Sequence, residues 1–188
     1  MLRSNRIKKN KMIEKIIKAE TELEKRIISD EQFIKGAMWG KPRNGHPEGQ
    51  VISHIGDVLK NVDKHSTPDN RSKLRLIAII HDSFKYKVDR TKPKWGENHH
   101  AMIARRFAEK YIINNEILEI IELHDEAYNS WCKGDRNNEW SKAEKRAYQL
   151  IERLGDSLNL YLTFYKCDNE TGSKEGDDFI WFSKMCEY

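Results

Sequence analysis

Cysteine is scarce in this 188-residue chain: Cys132, Cys167 and Cys186 are the only three, and no two are closely spaced. That argues against a disulfide framework and against a zinc site built on thiolates, and it suits reduced thiols in a cytoplasmic protein. Long apolar runs are missing too. Nothing approaches the roughly 20 apolar residues of a membrane span. The N-terminus is basic but has no apolar stretch long enough for a secretory signal. A cytoplasmic location without a membrane partner is therefore the expectation. No segment shows the strict apolar–polar alternation of a half-buried strand. There is no internal repeat and no linker. These absences point to one all-α domain over residues 1–188, long enough to bury a real core.

What is present is charge, at 34% of residues, with both signs interspersed and a net charge of +4. That describes a solvated surface rather than a nucleic-acid-binding one. Basic residues do gather in residues 1–11, at Arg3, Arg6, Lys8, Lys9 and Lys11. Such an arm could touch RNA or DNA, but reads first as a frayed, solvated terminus. Apolar residues at Met12, Ile13, Ile16, Ile17, Leu23, Ile27 and Ile28 recur with helical period. Ser29-Asp30 should close that segment and cap a short helix. Residues 40–49 read as a loop from their Gly, Pro and Asn content. Helices are predicted from Val51 to Val62, from Pro68 to His81-Asp82, from Asn98 to Ile113, from Asn115 to Trp131, and from Ser141 towards Tyr165. The run from Asp168 to Ser173 should end the last of these. Residues 175–188, with Phe179, Trp181 and Phe182, form a C-terminal segment expected to dock on the core, or to supply a homo-oligomer contact.

The pair His81-Asp82 closes the run Leu74-Arg75-Leu76-Ile77-Ala78-Ile79-Ile80, where composition predicts a buried helix. A carboxylate does not stay there unpaired, because its burial costs several kcal/mol or more. Other predicted helices carry similar groups. His54 lies on an apolar face. His99-His100 open the next helix, His124-Asp125-Glu126 end the one after, and Asp156 sits inside the apolar stretch from Leu150 to Leu160. Helix bundles build metal sites this way, with ligands facing inward from neighbouring helices. Mixed His and Asp donors suit a divalent transition metal better than calcium.

On these residues the chain resembles the HD-domain metal-dependent phosphohydrolases, whose H…HD…D signature is reproduced by His54, His81-Asp82 and Asp156. The resemblance spans residues 45–156 and includes His81-Asp82-Ser83-Phe84-Lys85 as an HD-x-x-K form. It implies an all-α helical bundle with the metal site in its interior, and it assigns His54, His81, Asp82 and Asp156 as ligands of one ion. In members with two ions, further histidines lie between the HD pair and the last Asp. His99 or His100, with His124, fill those places here, His99 fitting the spacing slightly better. Asp82 would then bridge the ions. The ion itself, whether Mn, Fe, Co, Ni, Mg or Zn, is not specified by this ligand set.

The chemistry implied is hydrolysis of a phosphoester, most readily of a nucleotide, by metal-activated hydroxide. Asp82 and Lys85 would carry catalysis, with Lys85 holding a phosphoryl oxygen. Arg106, Tyr128 and His46 are candidates for substrate contact, Tyr128 by stacking on a base. Glu48, Asp125 and Glu126 are candidates to orient ligands or move protons. Two alternatives stand beside this reading. One is a phosphodiesterase acting on a cyclic nucleotide or an RNA end. The other is a non-catalytic module that senses metal or nucleotide. The string Gly155-Asp156-Ser157-Leu158 also names a family of serine esterases, but here it lies late and in a helical pattern, so the esterase reading is set aside.

Overall fold

The computed structural model describes residues 2–42, 49–172 and 175–187, and every regular element among them is helical. Eleven helices follow one another: α1 (Leu2–Ile17), α2 (Glu22–Ser29), α3 (Glu31–Ala37), α4 (Val51–His65), α5 (Arg71–Ile80), α6 (His100–Ala108), α7 (Asn115–Leu123), α8 (Glu126–Asn137), α9 (Trp140–Leu154), α10 (Leu158–Asn169) and α11 (Asp177–Met185). Local chemistry sets several of the starts. Thr21, Asp30 and Asn114 each accept a backbone N–H of the first turn that would otherwise lack a partner. Asn138, in the left-handed conformation, ends α8.

Helix α5 is the centre of the bundle. All seven residues from Leu74 to Ile80 are buried, and α4, α7 and α10 pack around them. A helix apolar on every side is the expected sequence for that position. Helices α1 and α3 lie against α4 and α2 packs on both of them, α6 covers α7, and α8 and α9 form an antiparallel pair closed by α11. No helix among the described residues is long and apolar enough to cross a membrane.

Three expectations need correcting. The basic start is the first part of α1 and not an irregular arm. The predicted helix from Asn115 to Trp131 breaks at His124-Asp125, and its second part, α8, runs on past Trp131 to Asn137. The predicted helix from Ser141 to Tyr165 breaks at Gly155, whose φ of +46° no helix accommodates. A 3-10 turn over Gly155–Ser157 follows, and α10 then runs on to Asn169, past the point where sequence placed its end.

One buried ion pair fastens the N-terminal helices to this centre. The guanidinium of Arg75, 3% exposed, makes two parallel bonds to Glu24, at 2.8 and 2.9 Å. It also reaches the carbonyls of Ile17 and Lys18 at the end of α1. Glu20 also reaches Arg75, at 3.2 Å, but Glu24 is the fully buried partner, and removing one side of such a pair costs about 3–5 kcal/mol. Glu24→Ala is therefore expected to lower the melting temperature by roughly 10 °C, measurable by circular dichroism. An unchanged melting temperature would contradict that role.

Candidate metal centre

The donors arrive from the ends and inner faces of five helices. His54 projects from the first turn and a half of α4, and is 5% exposed. His81 and Asp82 sit where α5 gives out, so the chain turns and both side chains face the same side. His100 begins α6, and His124-Asp125 form the corner between α7 and α8. The last donor is Asp168, one residue before the end of α10. Asp156, the expected ligand, is exposed in the 3-10 turn at Gly155–Ser157 and takes no part in the cluster.

Two groups of atoms meet at Asp82. In the first, His54 Nε2 lies 3.2 Å from His81 Nε2 and 3.0 Å from Asp168 Oδ1, and Asp82 Oδ2 is 3.6 and 3.7 Å from the two imidazoles. In the second, His100 Nε2 lies 3.2 Å from His124 Nε2, 3.3 Å from Asp82 Oδ1 and 3.2 Å from Asp125 Oδ2. The two carboxylate oxygens of Asp82 thus face different groups.

Hydrogen bonds behind the rings fix which nitrogen carries the proton. His81 Nδ1 donates to the Ala78 carbonyl at 2.9 Å, and His124 Nδ1 donates to the Ile121 carbonyl at 2.8 Å. Thr171 gives its hydroxyl proton to the Asp168 carbonyl, so its oxygen can only accept from His54 Nδ1, at 3.4 Å. With Nδ1 of each ring committed to a partner behind it, Nε2 is the nitrogen that all three turn into the cluster, and it is a free lone pair in any ring that is neutral. The Nε2 atoms of His54 and His81 face each other at 3.2 Å. Asp82 Oδ1 is buried without a hydrogen bond. Ring nitrogens turned together beside such an oxygen are an arrangement that a cation satisfies. Donors about 2.1 Å from one ion stand about 3.0 Å apart at octahedral angles and about 3.4 Å at tetrahedral ones; the shortest contacts of each group fall in that range, and Asp82 Oδ2 stands a few tenths of an ångström wider. The donor set fits a divalent transition metal in each group.

Electrostatics agree. Burial pushes the His81 imidazole down to about 3, keeping it neutral. Burial works against charge on Asp82, but Lys85 and the surrounding imidazoles hold its carboxyl well below the usual range. Lys85 is raised in turn: burial opposes its charge, and Asp82 and Asp125 outweigh that. His124 likewise overcomes burial through Asp125 and Asp82 and is held up at about 9. Lys85 donates to Asp82 Oδ2 from the 3-10 turn after the pair.

The other expected residues divide. His100 is the buried member of its pair; His99 is half-buried, caps α6 by accepting from the Ala101 N–H, and stands 3.8 Å from Asp125. Asp125 belongs to the second group. Glu126 does not: it pairs with Arg146 of α9. Arg106 pairs with Glu97 on the surface, away from the cluster, because its side of α6 faces solvent. His46 and Glu48 lie outside the described residues. Tyr128 does line the cavity of about 620 Å³ that opens from the cluster, together with Trp131 and Arg136. Its ring is stacked with Trp131, at 6.3 Å and 28°, and its hydroxyl accepts from Arg136.

Asp168 was the main residue missed. Its signal is visible afterwards: it lies seven residues after Tyr161, four after Phe164 and three after Tyr165, on the buried side of α10. The α11 segment fixes that end. Asp178 accepts from Tyr165 and from both bonds of Asn169, next to Asp168.

A family model described as HD domain matches residues 48–159, well over half of the chain. The match holds His54, His81-Asp82, His100, His124 and Asp156 and stops short of Asp168. No curated protein and no solved structure matches the chain.

Proposed function

Because the chain belongs to the HD-domain family, a superfamily of metal-dependent hydrolases, we propose that it hydrolyses a phosphoester, that of a nucleotide, at the His54, His81, Asp82 and Asp168 cluster. The observation that carries this reading is the pair of Nε2 atoms, 3.2 Å apart, between two carboxylates. We assign His54, His81, Asp82 and Asp168 to one divalent ion, and Asp82, His100, His124 and Asp125 to a second. Bound there, the metal supplies positive charge opposite phosphoryl oxygens and makes water acidic enough to attack near neutral pH.

The chain's own residues do the rest. The two oxygens of Asp82, each turned to one group, hold the groups together. Lys85 is placed to follow the negative charge, passing from Asp82 to a phosphoryl oxygen when substrate enters. Carbonyls of Ala78 and Ile121 keep the imidazoles in the ligating tautomer. Tyr128 and Trp131 offer an aromatic surface for a base at the cavity wall.

The test is a phosphohydrolase screen over nucleotides with Mn, Co, Ni, Mg and Fe supplied in turn. Metal-dependent release of phosphate or of a nucleotide is expected, with nucleotides preferred over simple aryl phosphates. Absence of turnover with every ion would refute the proposal.

A further inference from the structure

The cluster opens on a second side. A cavity of about 490 Å³ shares His54, Asp82 and Lys85 with the first, but its other walls come from residues 38–42 and 49–51 and from Arg90. That wall is held by its own bonds. The Val51 N–H donates to the Trp39 carbonyl at 2.9 Å, and Gln50 Nε2 donates to the Met38 carbonyl at 3.1 Å. Gly40 sits at a φ of +113°, and a Cβ there would come within 2.5 Å of the Gly49 carbonyl oxygen. Glycine at both positions lets the two segments close on each other.

The two cavities differ in charge. Beyond its aromatic pair and Arg136, whose guanidinium is engaged by the Tyr128 hydroxyl, the first is lined by Glu175, Asp177 and Asp178, an acidic balance that disfavours further phosphates. In the second, Asp82 is the only carboxylate among the described lining residues, and Lys85 is joined by Lys41 and Arg90. Both of those cations are exposed, and Trp39 is half-buried on the core beside them. An aromatic residue and two cations lining one cavity is the chemistry that recognises a nucleotide.

A phosphorus atom beside Asp82 thus has room for a substituent on each side, and the two sides fit different substituents. We propose that the substrate is a phosphodiester whose leaving group is itself a nucleotide, with Trp39 stacking its base and Lys41 and Arg90 holding its phosphate. This rests on the phosphohydrolase reading of the shared residues. The first cavity then takes the nucleoside that keeps the scissile phosphate, its base on Tyr128 and Trp131. In the step, a water oxygen bonds to phosphorus and the bond from phosphorus to the leaving 3′-oxygen breaks with its electron pair. That oxygen takes up a proton. A 5′-phosphorylated adenosine dinucleotide plus water gives two molecules of adenosine 5′-monophosphate. A phosphomonoester would leave the second cavity without a role.

The test compares wild type with the Trp39→Ala, Arg90→Ser double variant on that dinucleotide and on adenosine 5′-monophosphate. Binding of the methylphosphonate-linked dinucleotide, which keeps its 5′-phosphate, is measured alongside by calorimetry, with and without added divalent ion. Stacking of one base is worth roughly 5- to 150-fold in affinity. The expected result is a kcat/KM at least tenfold higher for the dinucleotide than for the mononucleotide in wild type. The double variant should lose that advantage, bind the methylphosphonate at least tenfold more weakly, and hydrolyse the mononucleotide within twofold of wild type. Arg90→Ser alone, at an exposed position, should move binding in the same direction if the double variant folds poorly. Preference for the mononucleotide, or an equal loss on both substrates, overturns the inference and leaves the phosphohydrolase reading standing. No turnover of either substrate with any divalent ion overturns that reading itself.

Discussion

Asp168→Ala is expected to lower kcat/KM by about a thousandfold or more, roughly 4 kcal/mol of transition-state stabilisation, whereas Asp156→Ala should stay within twofold of wild type. The contrast follows from placement. Asp168 Oδ1 stands 3.0 Å from His54 Nε2 on the inner side of α10. Asp156 is exposed in a turn that lines neither cavity. Both substitutions remove one carboxylate from the same stretch of chain, so a general effect of charge cannot separate them. Metal content should follow activity: the Asp168 variant loses an ion and the Asp156 variant keeps its full complement. Steady-state kinetics with elemental analysis on both proteins decides the matter. The reverse outcome would return the ligand to Asp156.

Asp82→Ala is expected to be more severe, with activity below about one ten-thousandth of wild type and both ions lost. Each of its carboxylate oxygens faces a different group of imidazoles, so one substitution disables two sites. His100→Ala removes a donor from the second group only, and should leave one ion at His54, His81 and Asp168. The helical content should survive in both, because α5 ends before Asp82 and its buried residues do not depend on it. Titration calorimetry with Mn reads the stoichiometry directly: two in wild type, one in the His100 variant, none in the Asp82 variant. Equal stoichiometry in all three would refute the two-group arrangement.

Much of this was legible in sequence. The helical class follows from period and from the missing strand alternation. The pairing of His54 with His81-Asp82 follows from polar groups lodged in otherwise apolar helices. The missing part was a matter of where helices stop. Asp168-Asn169-Glu170 reads as a polar terminator, yet Asp168 continues the buried stripe of Tyr161, Phe164 and Tyr165 by one more turn. Gly155 reads as a tolerated helical glycine, yet its positive φ breaks the helix and turns Asp156 outward. Between His99 and His100, spacing slightly favours His99, whereas the structure turns His100 inward. The difference comes from the start of α6, where the first ring serves as a cap and the second points inward. Arg106 was out of reach for a similar reason: only the packed position of α6 shows that this side of the helix meets Glu97 and solvent. The second cavity is legible only in three dimensions, since Trp39 and Arg90 lie far apart in the chain.

The most direct test of the central claim is anomalous diffraction from crystals of the protein soaked in manganese. Two peaks are expected, one among His54, His81, Asp82 and Asp168 and one among Asp82, His100, His124 and Asp125, with Asp82 shared between them. Manganese bound elsewhere, or no peak at these residues in a well-occupied crystal, would contradict the account.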